Sequence, residues 1–178
     1  MSSPLVGLVG YAQAGKDTFA GFLGYRRIAF ADALKAAALV ANPFIIETAD
    51  SLAKTVDHLG WEQSKKCPTV REFLQNFGMG IREHVGEDAW VDAAFKDYDP
   101  TVPTVITDVR FPNEIARIRS LGGIIVRIDR KGHAPVNAHV SEFAWQAETP
   151  DKHYTFANGA LHHMQRVAEH LDRELRGA

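Results

Sequence analysis

The chain has 178 residues, of which 46% are hydrophobic and 24% charged, with a formal net charge of -2 and one cysteine. That is enough chain for one domain with a sizeable core, and an ordinary composition for a globular protein in water. The charge balance argues against tight, sequence-independent nucleic-acid binding. Cys67 alone excludes an internal disulfide and a cysteine metal centre. No apolar run approaches the length of a membrane span, and the N-terminus lacks the basic flank and long apolar stretch of a signal peptide. The expected setting is cytoplasmic.

The first predicted element is a strand over the apolar run Leu5-Val6-Gly7-Leu8-Val9. Gly10-Tyr11-Ala12-Gln13-Ala14-Gly15-Lys16-Asp17-Thr18 follows, and then a helix from Thr18 to Gly24. Strand, glycine loop, lysine and helix are the context of a phosphate-binding P-loop. Gly10 and Gly15 allow a tight turn in which the main-chain amides around Ala12 and Ala14 point at an anion. The helix adds the positive end of its dipole. Lys16 brings a mobile cation for the outer phosphates, so a nucleoside triphosphate is the expected ligand. Asp17 stands where the usual pattern has a hydroxyl that ligates Mg²⁺. It would bind the ion directly or through water, or point elsewhere while Thr18 takes a phosphate.

Further along, Ile28-Ala29-Phe30-Ala31 reads as a short strand end before Asp32, and Ala33 to Val40 as a helix broken by Asn42-Pro43. Residues 51–60 read as a helix stopped by Gly60, with Leu52, Val56 and Leu59 on one face. Thr69 and Glu72 predict a capping box opening a helix that aligns Phe73, Leu74, Phe77 and Ile81. Trp90 to Phe95 continues as helix. Pro103 to Thr107 is an apolar strand ending in Asp108; Asn113 to Leu121 is a helix that Asn113 would cap. Ile124 to Ile128 is a strand, and Ala160 to Leu175 a closing helix with Leu161, Met164, Val167, Ala168 and Leu171 inward. Strands alternating with helices predict a three-layer α/β fold, a parallel sheet with helices on both faces. Ligands of such sheets lie beyond the carboxyl ends of the strands.

Asp108 sits where a P-loop enzyme places its second metal-holding acid. Two residues on, Arg110 would reach the same crevice and grip a phosphate in bidentate fashion. Each also has a plainer reading, as a turn-making acid and a surface ion pair. Arg127, Arg130 and Lys131 form a basic cluster before a polar, glycine- and proline-bearing stretch, the composition of a closing lid over about 129–150. Arg130 is its expected phosphate ligand, and Arg127 points to either face. His133, His139, His153, His162 and His163 read as surface residues without metal-ligand spacing.

Taken together, these motifs resemble the deoxynucleoside monophosphate kinases of the bacteriophage type. The resemblance rests on Gly-Lys-Asp-Thr at 15–18, Phe30-Ala31-Asp32-Ala33-Leu34-Lys35, Arg71-Glu72-Phe73-Leu74-Gln75-Asn76-Phe77-Gly78, and Arg82 with Asp88-Ala89-Trp90-Val91. It continues through Asp108-Val109-Arg110-Phe111-Pro112-Asn113-Glu114, His139-Val140-Ser141-Glu142 and Asn158-Gly159-Ala160-Leu161. It implies a single P-loop kinase domain over 1–178, with a helical acceptor-binding region at about 33–100. It implies transfer of the γ-phosphoryl group of ATP, with Mg²⁺, to a deoxynucleoside 5′-monophosphate, in a host cytoplasm if the gene is a phage's. Asp17 and Asp108 would hold the metal, Asp32 would face the acceptor, and Asn158 would border the adenine. Arg71 and Arg82, eleven residues apart, would share a helix face toward the acceptor if Gly78 and Gly80 leave that helix straight. Gln75 and Trp90 would touch or stack on the acceptor base, Trp90 having core packing as its alternative. A homodimer stays open. Other readings are a kinase acting on 5-hydroxymethyl pyrimidine in DNA, which would need Asp32 as a base, a small-metabolite kinase, and a nucleotide-dependent switch.

Overall fold

The computed structural model of the chain describes residues 3–133 and 143–177. In chain order the elements are β1 (Leu5–Val9), α1 (Lys16–Leu23), β2 (Arg26–Ile28), α2 (Phe30–Ala41), β3 (Phe44–Ile45), β4 (Asp50–Ser51), α3 (Leu52–Ser64), α4 (Pro68–His84), α5 (Ala89–Phe95), β5 (Thr104–Ile106), α6 (Pro112–Ser120), β6 (Ile124–Arg130), β7 (Lys152–Phe156) and α7 (Leu161–Arg176). Short 3₁₀ turns cover Ile46–Thr48 and Ala144–Ala147. The elements form two compact units, one of Met1–Ala29 with Asp97–Ala178 and one of Phe30–Lys96.

The first unit is built on a five-stranded sheet in the order β2-β5-β1-β6-β7. Every neighbouring pair is parallel. Strands covered on both faces read as continuous apolar runs, which is what Leu5–Val9 and Thr104–Ile106 are. On one face Val6, Leu8, Val126 and Ile128 pack with Phe19, Ala20 and Leu23 of α1 and Met164, Ala168 and Leu171 of α7. Each large side chain buried there stabilises the fold by about 2 kcal/mol. On the other face α6 lies against Gly7: a β-carbon there would stand 2.7 Å from Ile118 Cδ1 and 3.0 Å from Ile125 Cδ1. Helices thus cover both faces, as the alternation of elements predicts.

The edge strand β7 has no counterpart in the sequence reading. Its pattern Lys-His-Tyr-Thr-Phe alternates rather than running apolar, and only Phe156 is fully buried. Phe156 and Tyr154 meet the Phe19 ring at centroid distances of 6.2 and 6.0 Å. In α7, Leu161 is exposed rather than inward.

The second unit has its own core of Ala38, Ile45, Leu52 and Val70, flanked by Leu39, Val56, Trp61, Phe73, Leu74 and Phe77. Four local expectations are corrected here. The strand expected to run to Ala31 ends at Ile28, and α2 starts at Phe30, so Asp32 lies in the first helical turn. Gly60 (φ 71°, ψ 160°) breaks α3 without ending it, because one further turn runs to Ser64, whose hydroxyl donates to the Gly60 carbonyl at 2.8 Å. Leu59, placed on the inner face by periodicity, is exposed beside that break. Thr69 does not cap α4: Pro68 is its first residue, and the Thr69 amide instead donates to Glu47 Oε1 at 2.9 Å. Proline at the first helical position has a preset φ and no amide to satisfy.

Candidate active site

At the carboxyl end of β1 the chain turns through Gly10 (φ 136°) into a loop closed by Gly15 (φ 102°), the residue that precedes α1. Both glycines are required by φ, and Gly10 by crowding against backbone as well. A β-carbon on Gly10 would lie 2.2 Å from the Ile128 carbonyl oxygen, and one on Gly15 would lie 3.2 Å from Met164 Cε. Between them Ala14 N–H donates to the Tyr11 carbonyl at 3.2 Å, which curls the loop. The first intrahelical bond of α1 runs from Phe19 N–H to the Gly15 carbonyl at 2.9 Å. The amides before Phe19 therefore have no acceptor within the helix and look out of its positive end. Lys16 folds back over the loop, its Nζ donating to the carbonyls of Gly10 and Tyr11 at 2.8 Å each. Gln13, Gly15, Lys16, Asp17, Thr18 and Arg130 line a cleft of about 290 Å³. Two cations and a helix N-terminus, with the Asp17 carboxylate beside them, give that cleft electrostatics suited to an anion.

The next strand over is β5. Its Ile106 pairs with Gly7 in parallel register, and continuing that register sets Asp108 level with Val9, one residue short of Gly10. Val109 is buried, and Asp108 and Arg110 flank it, each half-buried. The turn that carries them is held by Glu114, a carboxylate only 4% exposed. Its Oε2 accepts the amides of Arg110 at 2.6 Å and Phe111 at 3.0 Å. Asn113 is thus not the cap it is predicted to be. Proline again opens the helix, at Pro112, and the acid at the third helical position reaches back to the orphan amides.

The cationic strand β6 corrects the lid expectation in part. Asp129 and Arg130 belong to the strand itself, paired with Thr155 and Phe156 of β7, so Arg130 is a sheet-end residue that reaches the cleft. Arg127 lies on the opposite side, over the Trp145 ring at 4.9 Å and paired with Asp129 at 2.8 Å. His133 is not a plain surface residue: its Nε2 lies 2.6 Å from the Ala12 carbonyl oxygen. His153 donates to Asp129, and His163 meets Phe156 edge-on. Residues 134–142 of the predicted lid, with His139, Ser141 and Glu142, lie outside the described residues, and its C-terminal end includes the 3₁₀ turn Ala144–Ala147. Asn158 is exposed in the short connection between β7 and α7, at the same carboxyl edge as the glycine loop.

Of the remaining candidates, all in the Phe30–Lys96 unit, Arg71, Gln75 and Arg82 share one 17-residue helix. Gly78 and Gly80 do not interrupt it. At 100° per residue, positions 71, 75, 78 and 82 fall on one stripe, and Arg71 and Arg82 are about 16 Å apart along it. Arg71 is exposed, with its Nε 3.4 Å from the Lys65 carbonyl. The Arg82 side chain is 9% exposed, its Nη2 3.3 Å from Glu87. Trp90 is half-buried, and its indole N–H donates to the Gly78 carbonyl at 3.0 Å beside Phe77. That bond satisfies the polar handle of the ring. Asp32 lies 3.6 Å from Lys35.

No family model matches the chain. A curated protein of Acanthamoeba polyphaga mimivirus, described as "Putative deoxynucleotide monophosphate kinase", is 33% identical to it over 156 residues, which cover 78% of this chain and 80% of that one. The chain belongs to the deoxynucleotide monophosphate kinase family. The kinase fold is the α/β sheet already described, and among the described residues no helix is long and apolar enough to cross a membrane. Two side chains of this kinase escape a motif reading. Glu114 looks like a solvated acid on a helix and is buried only because the turn wraps it. His133 is 121 positions from Ala12 in sequence, so no local pattern connects them. The one available signal for Glu114 was its place three residues beyond Phe111, the capping-box spacing.

Proposed function

We propose that this chain catalyses transfer of the γ-phosphoryl group of ATP to a deoxynucleoside 5′-monophosphate. An oxygen of the acceptor phosphate forms the new bond to phosphorus, the β–γ bridging bond breaks, and ADP and the deoxynucleoside diphosphate leave. The observation that carries this reading is the cleft at the end of β1, where Lys16 and Arg130 meet the outward amides of α1. Membership of the deoxynucleotide monophosphate kinase family supports a deoxynucleoside monophosphate as the acceptor.

In this reading Gly10, Ala12, Gly15 and Thr18 present main-chain donors to the ATP phosphates, Ala14 keeps the loop curled around them through its bond to the Tyr11 carbonyl, and Lys16 exchanges its loop carbonyls for phosphate oxygens. Arg130 and Arg110 offset charge that develops on the transferred group. Asp17 lines the cleft and Asp108 stands level with the end of β1; both are hard oxygen donors of the type Mg²⁺ takes alongside phosphates. The ion, when bound, neutralises the charge shared by the outer phosphates. Arg71, Gln75 and Arg82 on α4, with Asp32 and Trp90, make the Phe30–Lys96 unit the acceptor-binding region, and Asn158 borders the adenine. A monophosphate oxygen is already ionised near neutral pH, so Asp32 is not needed as a base.

A coupled ATP assay across dTMP, dGMP, dCMP, dAMP and an oligonucleotide bearing hydroxymethyluracil tests the reading. Turnover with at least one free monophosphate and none with the oligonucleotide is expected, falling at least 10³-fold in Lys16→Ala. Turnover of the oligonucleotide alone, or an unaffected Lys16→Ala, would overturn it.

A further inference from the structure

We propose that His133 is a positioning residue of the glycine loop, one that aims the Gln13 amide into the phosphate cleft. The inference rests on the kinase reading above. A carbonyl oxygen only accepts, so the 2.6 Å contact to Ala12 requires the hydrogen on Nε2. The Ala12 carbonyl and the Gln13 N–H belong to one planar trans peptide and point in opposite directions. Turning that carbonyl outward onto His133 turns the Gln13 N–H the other way. Gln13 is itself a wall of the cleft. Its φ of 64° is left-handed, a conformation that costs a non-glycine residue about 1 kcal/mol and persists only where neighbours impose it.

The neighbours that impose it are arranged as two layers of anchor. Lys16 holds the carbonyls of Gly10 and Tyr11, but a lysine that moves to phosphate gives those bonds up. His133 and Gln146 do not depend on Lys16. Gln146 Nε2 donates to the Tyr11 hydroxyl at 2.8 Å. The Tyr11 ring stands edge-on to Phe143 at 6.3 Å and to the buried Trp145 at 5.6 Å. Thus the chain on either side of residues 134–142 grips the loop at the Tyr11 side chain and the Ala12–Gln13 peptide, and the loop keeps its shape while its lysine is engaged elsewhere.

A neutral Nε2–H tautomer and an imidazolium both donate to a carbonyl, the charged form more strongly, so the bond is kept whether or not His133 is charged. Steady-state kinetics and ATP binding of wild type, His133→Ala and His133→Gln between pH 6 and 8 test it, with thermal unfolding to confirm that each variant is folded. His133→Ala is expected to raise the KM for ATP about tenfold while the acceptor KM changes less than twofold. His133→Gln, which retains an N–H donor at similar reach, is expected to recover most of the loss, with the same pH profile as wild type. The ¹H–¹⁵N resonance of the Gln13 amide is expected to shift on adding ATP to wild type and the Gln variant, and to stay near its ATP-free position in the Ala variant. Should the alanine variant fail to fold, the Gln variant and its pH profile decide. An ATP affinity in wild type that falls as His133 loses its proton, unrescued by Gln, makes His133 a charged phosphate ligand and overturns the proposal. An alanine variant indistinguishable from a wild type that binds ATP overturns it alone; a wild type that does not bind ATP removes the kinase reading and this inference together.

Discussion

Glu114 shows how much one buried carboxylate holds in place. Its Oε2 satisfies two consecutive amides at the turn that presents Asp108 and Arg110. An alanine there takes the acceptor from both donors of a part-buried turn, a loss of about 2 kcal/mol, whereas a glutamine keeps an acceptor and loses about 1 kcal/mol. Denaturant titration of Glu114→Ala and Glu114→Gln checks this; equal losses would mean that the charge rather than the acceptor matters. At this scale the sequence shows the residues that chemistry places at chain turns. Asp108, Arg110, Lys16 and both loop glycines stand out because a strand end or a φ requirement announces them. Glu114 and His133 do not, since each acquires its role from a partner that only the folded backbone supplies.

Helix starts obey a simple competition. At Pro68 and Pro112 the polar residue just after the proline looks like the cap, yet the helix begins at the proline itself. The preset φ of proline outweighs the cap preference, and the amides left over find distant or back-reaching acids, Glu47 and Glu114. The same scale holds the joint between α7 and Tyr25, the residue just before β2. The Tyr25 hydroxyl donates to Asp172 Oδ1 at 2.6 Å, Arg176 Nε donates to the same oxygen at 2.6 Å, and the guanidinium lies over the Tyr25 ring at 5.6 Å. Burial and the neighbouring carboxylate push the Tyr25 hydroxyl well above its usual value. Burial works against the charged form of Asp172, but its bonds from Tyr25 and Arg176 hold its carboxyl below the usual range. A depressed carboxyl stabilises above its unfolded pKa and loses that contribution as pH falls through the folded value. A raised phenol stabilises below its unfolded pKa and loses it as pH climbs through the folded value. Tyr25→Phe is therefore expected to cost about 1 kcal/mol between roughly pH 5 and 9, with the difference from wild type shrinking below about pH 4 and above about pH 10. A difference that stays constant over that whole range would remove the joint from the account.

Across the molecule, sheet order ranks the strands by how well they are covered. β1 is paired on both sides, by β5 and β6, while among the described residues β2 and β7 are each paired on one side only. Hydrogen exchange is expected to be slowest in β1, intermediate in β5 and β6, and fastest in β2 and β7. Exchange in β7 slower than in β1 would contradict that ranking. The covered strands are also the legible ones. Leu5–Val9, Thr104–Ile106 and the start of β6 read as apolar runs because helices lie on both faces, whereas β7 at the rim keeps a mixed Lys-His-Tyr-Thr-Phe pattern and passes for a loop.

That same order has a cost during synthesis. β1 leaves the ribosome first, but its neighbour β5 begins about a hundred residues later and β6 later still. At about 10 residues per second, a nascent chain carries this greasy strand unshielded for about ten seconds. The Phe30–Lys96 stretch, which has its own core, is fully translated before β5 emerges. A translating population therefore holds a finished helical module tethered behind an unpaired apolar strand, the kind of surface that chaperones at the exit tunnel bind.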